Sequence, residues 1–167
     1  MNNFDLLGFN QTELQKILDD HVKWLCDSSK GCRADLHGAN LREANLRGVN
    51  LRYADLHSAD FQGADLHGAN LRHANLQEVN LRNADLHGAD LRNADLHGAD
   101  LYQADLREAN FQGANLREAN LRNADLRDAD LQYADLWKCV LCDCNLDGAL
   151  ISFREDGVRI TYTKIRN

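Results

Sequence analysis

From Arg33 to Phe153 a large apolar residue stands at every fifth position, with polar residues between. Leu or Phe occupies 36, 41, 46 and each fifth residue to Leu146, and Ile151 closes the series. Two residues before each centre stands Ala, relaxed only to Val49, Val79, Cys139 and Cys144. The residue just before the centre is Asp or Asn, except at Val140 and Leu150. A five-residue period fits neither the helix nor the flat strand, whose periods are about 3.6 and 2.0. Along a straight strand the next Leu would fall on the opposite face. All the Leu residues share an inside only if the chain bends within every pentad, winding into a coil lined by Leu and Ala. Stacked coils then satisfy each other's backbone groups at a spacing of about 4.8 Å.

Several details support a coil. Asp or Asn before Leu suits a bend, because its short side chain bonds nearby backbone amides. Pro is absent, as expected where nearly every turn must also donate to a neighbour. Each buried Leu contributes roughly 1.5–3 kcal/mol, against ~1.5 kcal/mol of ordering entropy for each residue fixed. With five residues ordered per Leu, one coil cannot stand alone, so stacking is cooperative.

The phrase A-(D/N)-L-x-x, seen in ADLHG, ANLRE and ADLRN, resembles the signature of the pentapeptide-repeat family. The resemblance implies an all-β solenoid: a right-handed, four-sided β-helix with one pentad per side and four per coil. The 24 centres from Leu36 to Ile151 would then make about six coils, a rod of roughly 29 Å.

The ends read differently. Phe4, Leu6, Leu7 and Phe9 are irregular and apolar, and Asn10-x-x-Glu13 reads as a capping box. Leu14, Ile17, Leu18, His21, Val22 and Leu25 keep helical spacing. The spacing predicts a helix of roughly 15 residues, ended by Ser28-Ser29-Lys30-Gly31. The stretch ILDDHVKWLCDSSKGCRADL resembles a helical cap of some bacterial pentapeptide-repeat proteins, with His21 and Trp24 at its His-x-x-Trp positions. His21 is read as a packed cap residue. At the other end, Trp137, Lys138, Val140 and Leu150 break the phrase. Asp156-Gly157 then predicts a hairpin with strands near 150–154 and 158–163. The expected division is a helical cap over 1–33, the repeat over 34–153 and a hairpin or tail over 154–167.

Charge adds a surface. Nineteen basic and 26 acidic residues give a net charge of −7, which argues against nonspecific nucleic-acid binding. Because each implied side recurs with every fourth pentad, outward columns are legible. Sides are numbered from the pentads centred on Leu36, Leu41, Leu46 and Leu51. The first and third walls each carry a formal net of four negative charges, the second one negative and the fourth one positive. Asp65, Asp85, Asp105 and Asp125 form a column on the third. On the fourth, Arg52, Arg72 and Arg92 stack beside Tyr53 and His73. They offer an anion or acidic peptide a site, or form a solvated ladder relieved by neighbouring carboxylates.

Cysteine and histidine offer chemistry that the repeat largely explains. Cys139-x-x-Cys142-x-Cys144 looks like a metal site, yet Cys139 and Cys144 replace inward Ala while Cys142 points out. Cys26 and Cys32 flank the coil's entry, and a reducing compartment keeps such pairs as thiols. His37 and His57 stack on the first wall, His67 and His87 on the third, with no third metal ligand evident.

No nucleophile–base–orienter set and no glycine-rich phosphate loop is present. No catalytic residue, cofactor or metal is therefore expected. The leading reading is a non-enzymatic module that presents side-chain ladders on a rigid rod to another protein, as monomer or homodimer. The runner-up comes from resemblance: quinolone-resistance pentapeptide-repeat proteins mimic DNA and act on DNA gyrase. A third reading is an anion- or metal-responsive regulator. No apolar run long enough to span a membrane and no signal-peptide pattern is present, so the expected location is the cytoplasm.

Overall fold

The computed structural model describes residues 11–155 and 158–163, with side chains through residue 152. Its repeating unit is a bend. In each pentad the Ala N–H donates to the preceding Leu carbonyl, as from Ala39 to Leu36 at 3.0 Å. The second residue inside that turn is left-handed: Gly38 at φ 64°, Glu43 at 57°, Tyr53 at 65° and their successors. A positive φ at that position marks the type II turn. Where the residue is not Gly, the backbone gives up roughly 1–2 kcal/mol. Two bonds oppose that strain. The strained residue's own N–H bonds the next coil, as from Glu43 to Gln62 O at 3.0 Å. The Asp or Asn before Leu accepts the N–H two residues on, as Asp60 does from Gln62 at 3.0 Å, so the expected side-chain bend is present.

Coils are joined by parallel single-residue bridges, from Asp35 to Asp55 and Asn40 to Asp60 onward to Asp125 with Asn145. The same offset holds throughout, and it makes four pentads one circuit. Leu N–H donates forward and the next coil's Asp or Asn N–H donates back, as in Leu36 to Asp55 O at 2.8 Å and Asp55 to Ala34 O at 2.9 Å. Because each side pairs through so short a stretch, regular strands are few. They are β1 (Asp130–Leu131), β2 (Leu150–Glu155) and β3 (Val158–Thr163). The core is one continuous column of Ala and Leu with Phe61 and Phe111, and Leu36 through Leu131 are buried at nearly every centre.

Helix α1 (Gln11–Cys26) lies against the first coil. Leu14 joins the core cluster, and Ile17 and Leu18 pack on it. His21 is fully buried and its Nδ1 accepts the Ala34 N–H at 3.0 Å. Its ring also stacks on Trp24, centroids 5.7 Å apart. Burial pulls the His21 pKa below its ordinary value, against a counteracting contact with the Arg52 backbone. One expectation fails: Val22 is 47% exposed. The buried stripe is centred on Leu14 and His21 and spreads toward Trp24, so Val22 falls past its edge. Helix exit needs Gly31 (φ 72°), where a Cβ would collide with the Asp20 carbonyl. Asn10 and the apolar residues Phe4 to Phe9 lie outside the described residues.

The far end is less well covered. Ala134, Leu136, Cys139, Leu141, Cys144 and Leu146 are only partly buried, and Trp137 is 50% exposed. On the fourth side β2 continues the column, Leu150 and Ile151 pairing in parallel with Asp130 and Leu131. Strand β3 then pairs with β2 in antiparallel fashion, Glu155 opposite Val158. The predicted hairpin is present, its turn residues Asp156 and Gly157 falling outside the described set.

Leu96→Ala is expected to cost roughly 2–5 kcal/mol in denaturant unfolding, whereas Arg122→Ala, exposed and without a described ion pair, should change it by no more than about 0.5 kcal/mol. Comparable losses would refute the inside–outside assignment. His21 yields a pH test. Its folded pKa is depressed, so between the unfolded value of about 6.5 and the folded one the unfolded chain binds more protons. Stability should therefore fall as pH drops below about 6.5. That slope should shrink in His21→Gln, read from melting temperatures across pH; parallel profiles would show that the buried imidazole is not the titrating group.

Candidate interaction face

The position after each central Leu is where Arg most often stands, and its partner follows from the coil. A paired Arg there reaches one of two carboxylates: the Asp two residues before it, or the Asp in the equivalent place on the next coil. Arg92, Arg107 and Arg127 take the first route, with Nε to Asp90 at 2.8 Å, Asp105 at 2.8 Å and Asp125 at 2.9 Å. Arg42, Arg47, Arg82 and Arg117 have Asn two residues back and reach across to Asp60, Asp65, Asp100 and Asp135 at 3.0–3.3 Å. Gln77 and Gln112 do the same to Asp95 and Asp130, both at 2.6 Å.

Two of the fourth-wall arginines lack this satisfaction. Arg52 has Asn50 before it and Asn70 on the next coil, so neither route offers a carboxylate. Arg72 has Asn70 before it; its next-coil partner, Asp90, is held bidentately by Arg92 and lies 4.0 Å from Arg72 Nε. The Nε atoms of both Arg52 and Arg72 are buried without a hydrogen-bond partner. Arg52 lies over the Tyr53 ring at 5.1 Å, and Tyr53 stacks on His73 at 4.9 Å with planes 10° apart. The five fourth-wall residues singled out from sequence thus form one continuous strip, within which Arg92 is already neutralised. Sequence counting missed Arg33, which the four-pentad register places one coil below Tyr53 and which is exposed. Its place on the wall was legible, but it precedes the first complete pentad.

The third wall is different. Asp65, Asp105 and Asp125 are each paired with Arg47, Arg107 and Arg127, and Asp85 alone of the four has no described ion pair. The Arg107 and Arg127 guanidinium bonds hold the Asp105 and Asp125 carboxyls below the ordinary carboxylate range. At Asp90 burial opposes ionisation, but the Arg92 bonds outweigh it and the pKa is lowered.

The histidine columns are placed as expected but differ in detail. His37 and His57 stack face to face at 5.0 Å, while His67 and His87 meet edge-on at 4.9 Å. His87 Nε2 lies 3.5 Å from Glu108. Among the described residues no group of three or more His, Cys, Asp or Glu is arranged to hold a metal. All five cysteines are free, Cys26 and Cys32 included. Burial pushes the Cys139 thiol up to about 12 and raises Cys144 as well, which makes them poor nucleophiles.

Comparison with known proteins agrees with the period. A family profile described as pentapeptide repeats, in eight copies, matches residues 33–68, 69–108 and 124–149. No curated protein matches. HetL, a pentapeptide-repeat protein involved in heterocyst differentiation regulation in the cyanobacterium Nostoc, is 35% identical over 71% of this chain, TM-score 0.31. The match spans 62% of HetL, less than two thirds of its length. A thylakoid-lumen pentapeptide-repeat protein of Arabidopsis thaliana is 27% identical over 72% of each chain, TM-score 0.33. A trypsin-treated form of QnrB1, a plasmid-mediated fluoroquinolone resistance protein, is 21% identical over 69% of this chain and 70% of its own, TM-score 0.31.

The pairing rule can be tested by supplying the missing carboxylate. Asn50→Asp should hold Arg52 as Asp90 holds Arg92 and raise stability by up to roughly 1 kcal/mol at low salt. High salt should erase the gain. A destabilised variant, or a gain indifferent to salt, would contradict the rule.

Proposed function

The chain belongs to the pentapeptide-repeat family, whose members fold as right-handed quadrilateral β-helices, and from that premise we propose a non-enzymatic protein-interaction module. It is a rod of about six coils that offers side-chain ladders to another protein. The proposed division is a cap over 1–33, closed by α1 and His21, a repeat over 34–153 and a tail over 154–167. The observation that carries the reading is that Arg52 has no described ion pair and Arg72 has only a 4.0 Å contact with Asp90, already held by Arg92, on a largely self-paired surface. Where a described Asp–Arg pair is satisfied within the rod, it contributes to the rod; where a charge is left over, it is available to a partner.

The DNA-mimic reading is weaker. Three of the four carboxylates in the Asp65, Asp85, Asp105 and Asp125 column are neutralised by arginine, which lowers the negative potential that imitation of a duplex requires. Direct nucleic-acid binding is not part of the proposal. A cytoplasmic location fits the free cysteines. Among the described residues no helix is long and apolar enough to cross a membrane.

The test is capture from the native cell with three full-length baits: the wild type, a fourth-wall variant (Arg52→Gln with Arg72→Gln) and a third-wall variant (Asp65→Asn, Asp85→Asn, Asp105→Asn and Asp125→Asn). The expected result is a protein partner retained by one variant and lost by the other. Identical capture by all three would remove the walls as interaction faces. Loss with the third-wall variant of a captured gyrase subunit, together with inhibition of supercoiling at low-micromolar protein, would establish the alternative.

A further inference from the structure

We infer that the fourth wall is a docking strip for a short, extended, acidic segment of a partner protein. The inference rests on the interaction-module reading and adds the chemistry of the partner. Two cations occupy successive levels of one wall: Arg52 and Arg72. Among the described residues neither has a carboxylate at hydrogen-bond distance; the nearest, Asp90, is 4.0 Å from Arg72 and already held by Arg92.

The cause lies in the sequence. On the other walls an Arg with Asn before it finds Asp on the next coil wherever it is paired, but Asn50 is followed by Asn70. The amides repeat the point. Asn75 and Asn80 donate to Asp55 and Asp60 one coil below, each at 2.9 Å. Asn70 has only Asn50 beneath it. The Nε atoms of Arg52 and Arg72 are buried without a partner, and neither guanidinium is hydrogen-bonded to a carboxylate, so the outer nitrogens of these half-buried side chains remain open to an acceptor. A guanidinium facing a carboxylate supplies paired, charge-assisted hydrogen bonds.

Shape selects among anions. The strip is one pentad wide and lies between walls with a formal net of four negative charges each. A duplex laid on it would bring further phosphates against those acidic walls, whereas a single extended peptide stays within the column. One coil step of about 4.8 Å separates Arg52 from Arg72, a span that one to two residues of extended chain cover. The Tyr53–His73 stack, with Tyr53 40% exposed, provides an apolar edge beside the cations. It suits an acidic segment that also carries an aromatic or aliphatic side chain.

Fluorescence anisotropy of fluorescein-labelled hexaglutamate, titrated with the full chain at low salt, tests this. Saturable binding is expected. It should weaken about tenfold or more in Arg52→Gln/Arg72→Gln and change by no more than about twofold in Arg122→Gln, an unpaired arginine on the second wall. Unchanged circular dichroism and melting temperature keep loss of binding separate from loss of fold. The proposal is overturned if hexaglutamate does not bind saturably or if the double variant binds it as well as the wild type. Tighter binding of a short DNA duplex that also depends on Arg52 and Arg72 would overturn it too, assigning the strip to nucleic acid. If hexaglutamate fails while cellular capture still depends on the third wall, the module reading survives and only this strip is lost. If neither wall matters, both fall.

Discussion

Everything in this molecule depends on the parallel pairing of each pentad with the pentad one full circuit further on. A pentad makes few bonds of its own: one turn bond from Ala to Leu and one side-chain bond from Asp or Asn. Its remaining backbone groups are satisfied only by the coils above and below, as in Leu96 N–H to Asn115 O and Asp95 N–H to Ala74 O. That demand keeps a strained residue at the third position of each turn even where it is Glu, Tyr, His or Lys. Inserting or deleting a single residue would break the register of every coil beyond it.

The same register converts sequence into columns and sets the electrostatics. Side chains one circuit apart become neighbours, so the choice between Asp and Asn before each Leu decides whether a nearby Arg is held. Asp–Arg pairs across coils sit at the solvent edge, where a single pair contributes little to stability. Their larger consequence is to leave most of the surface self-satisfied. Against that background the Asn50–Asn70 interruption stands out, because it leaves Arg52 without a carboxylate next to Arg72, whose one nearby carboxylate is held by Arg92. Asp130 lies farther along the same wall and is held by Gln112, so it does not relieve them.

The two ends meet the problem of unpaired coil edges in different ways. At the beginning, His21 is buried against the first coil and accepts the Ala34 N–H, while Leu14, Ile17 and Leu18 cover apolar side chains. A helix supplies this because one imidazole placed at the centre of an apolar stripe presents both polar and apolar contacts. At the other end β2 and β3 extend only the fourth side. The remaining three sides of the last coil keep partial exposure at Leu136, Leu141 and Leu146, which coincides with the loss of the regular phrase after Tyr133.

The sequence by itself determined the bend, the inward Leu and Ala, the helix that begins the rod and the hairpin that follows it. These come from periodicity and local turn chemistry, which act over a few residues and so are written in order along the chain. It also placed Arg52, Arg72 and Arg92 together, once the implied four-pentad circuit was applied. Sequence and register together leave Arg52 without a carboxylate, but only the tertiary structure decided between Arg92 and Arg72, which compete for Asp90 through geometry that composition does not contain. Likewise it turned Val22 outward and set His37 on His57 face to face but His67 against His87 edge-on. Those outcomes depend on how side chains from different coils and from α1 share a small space, and that is fixed by packing, not by any residue's own neighbours in sequence.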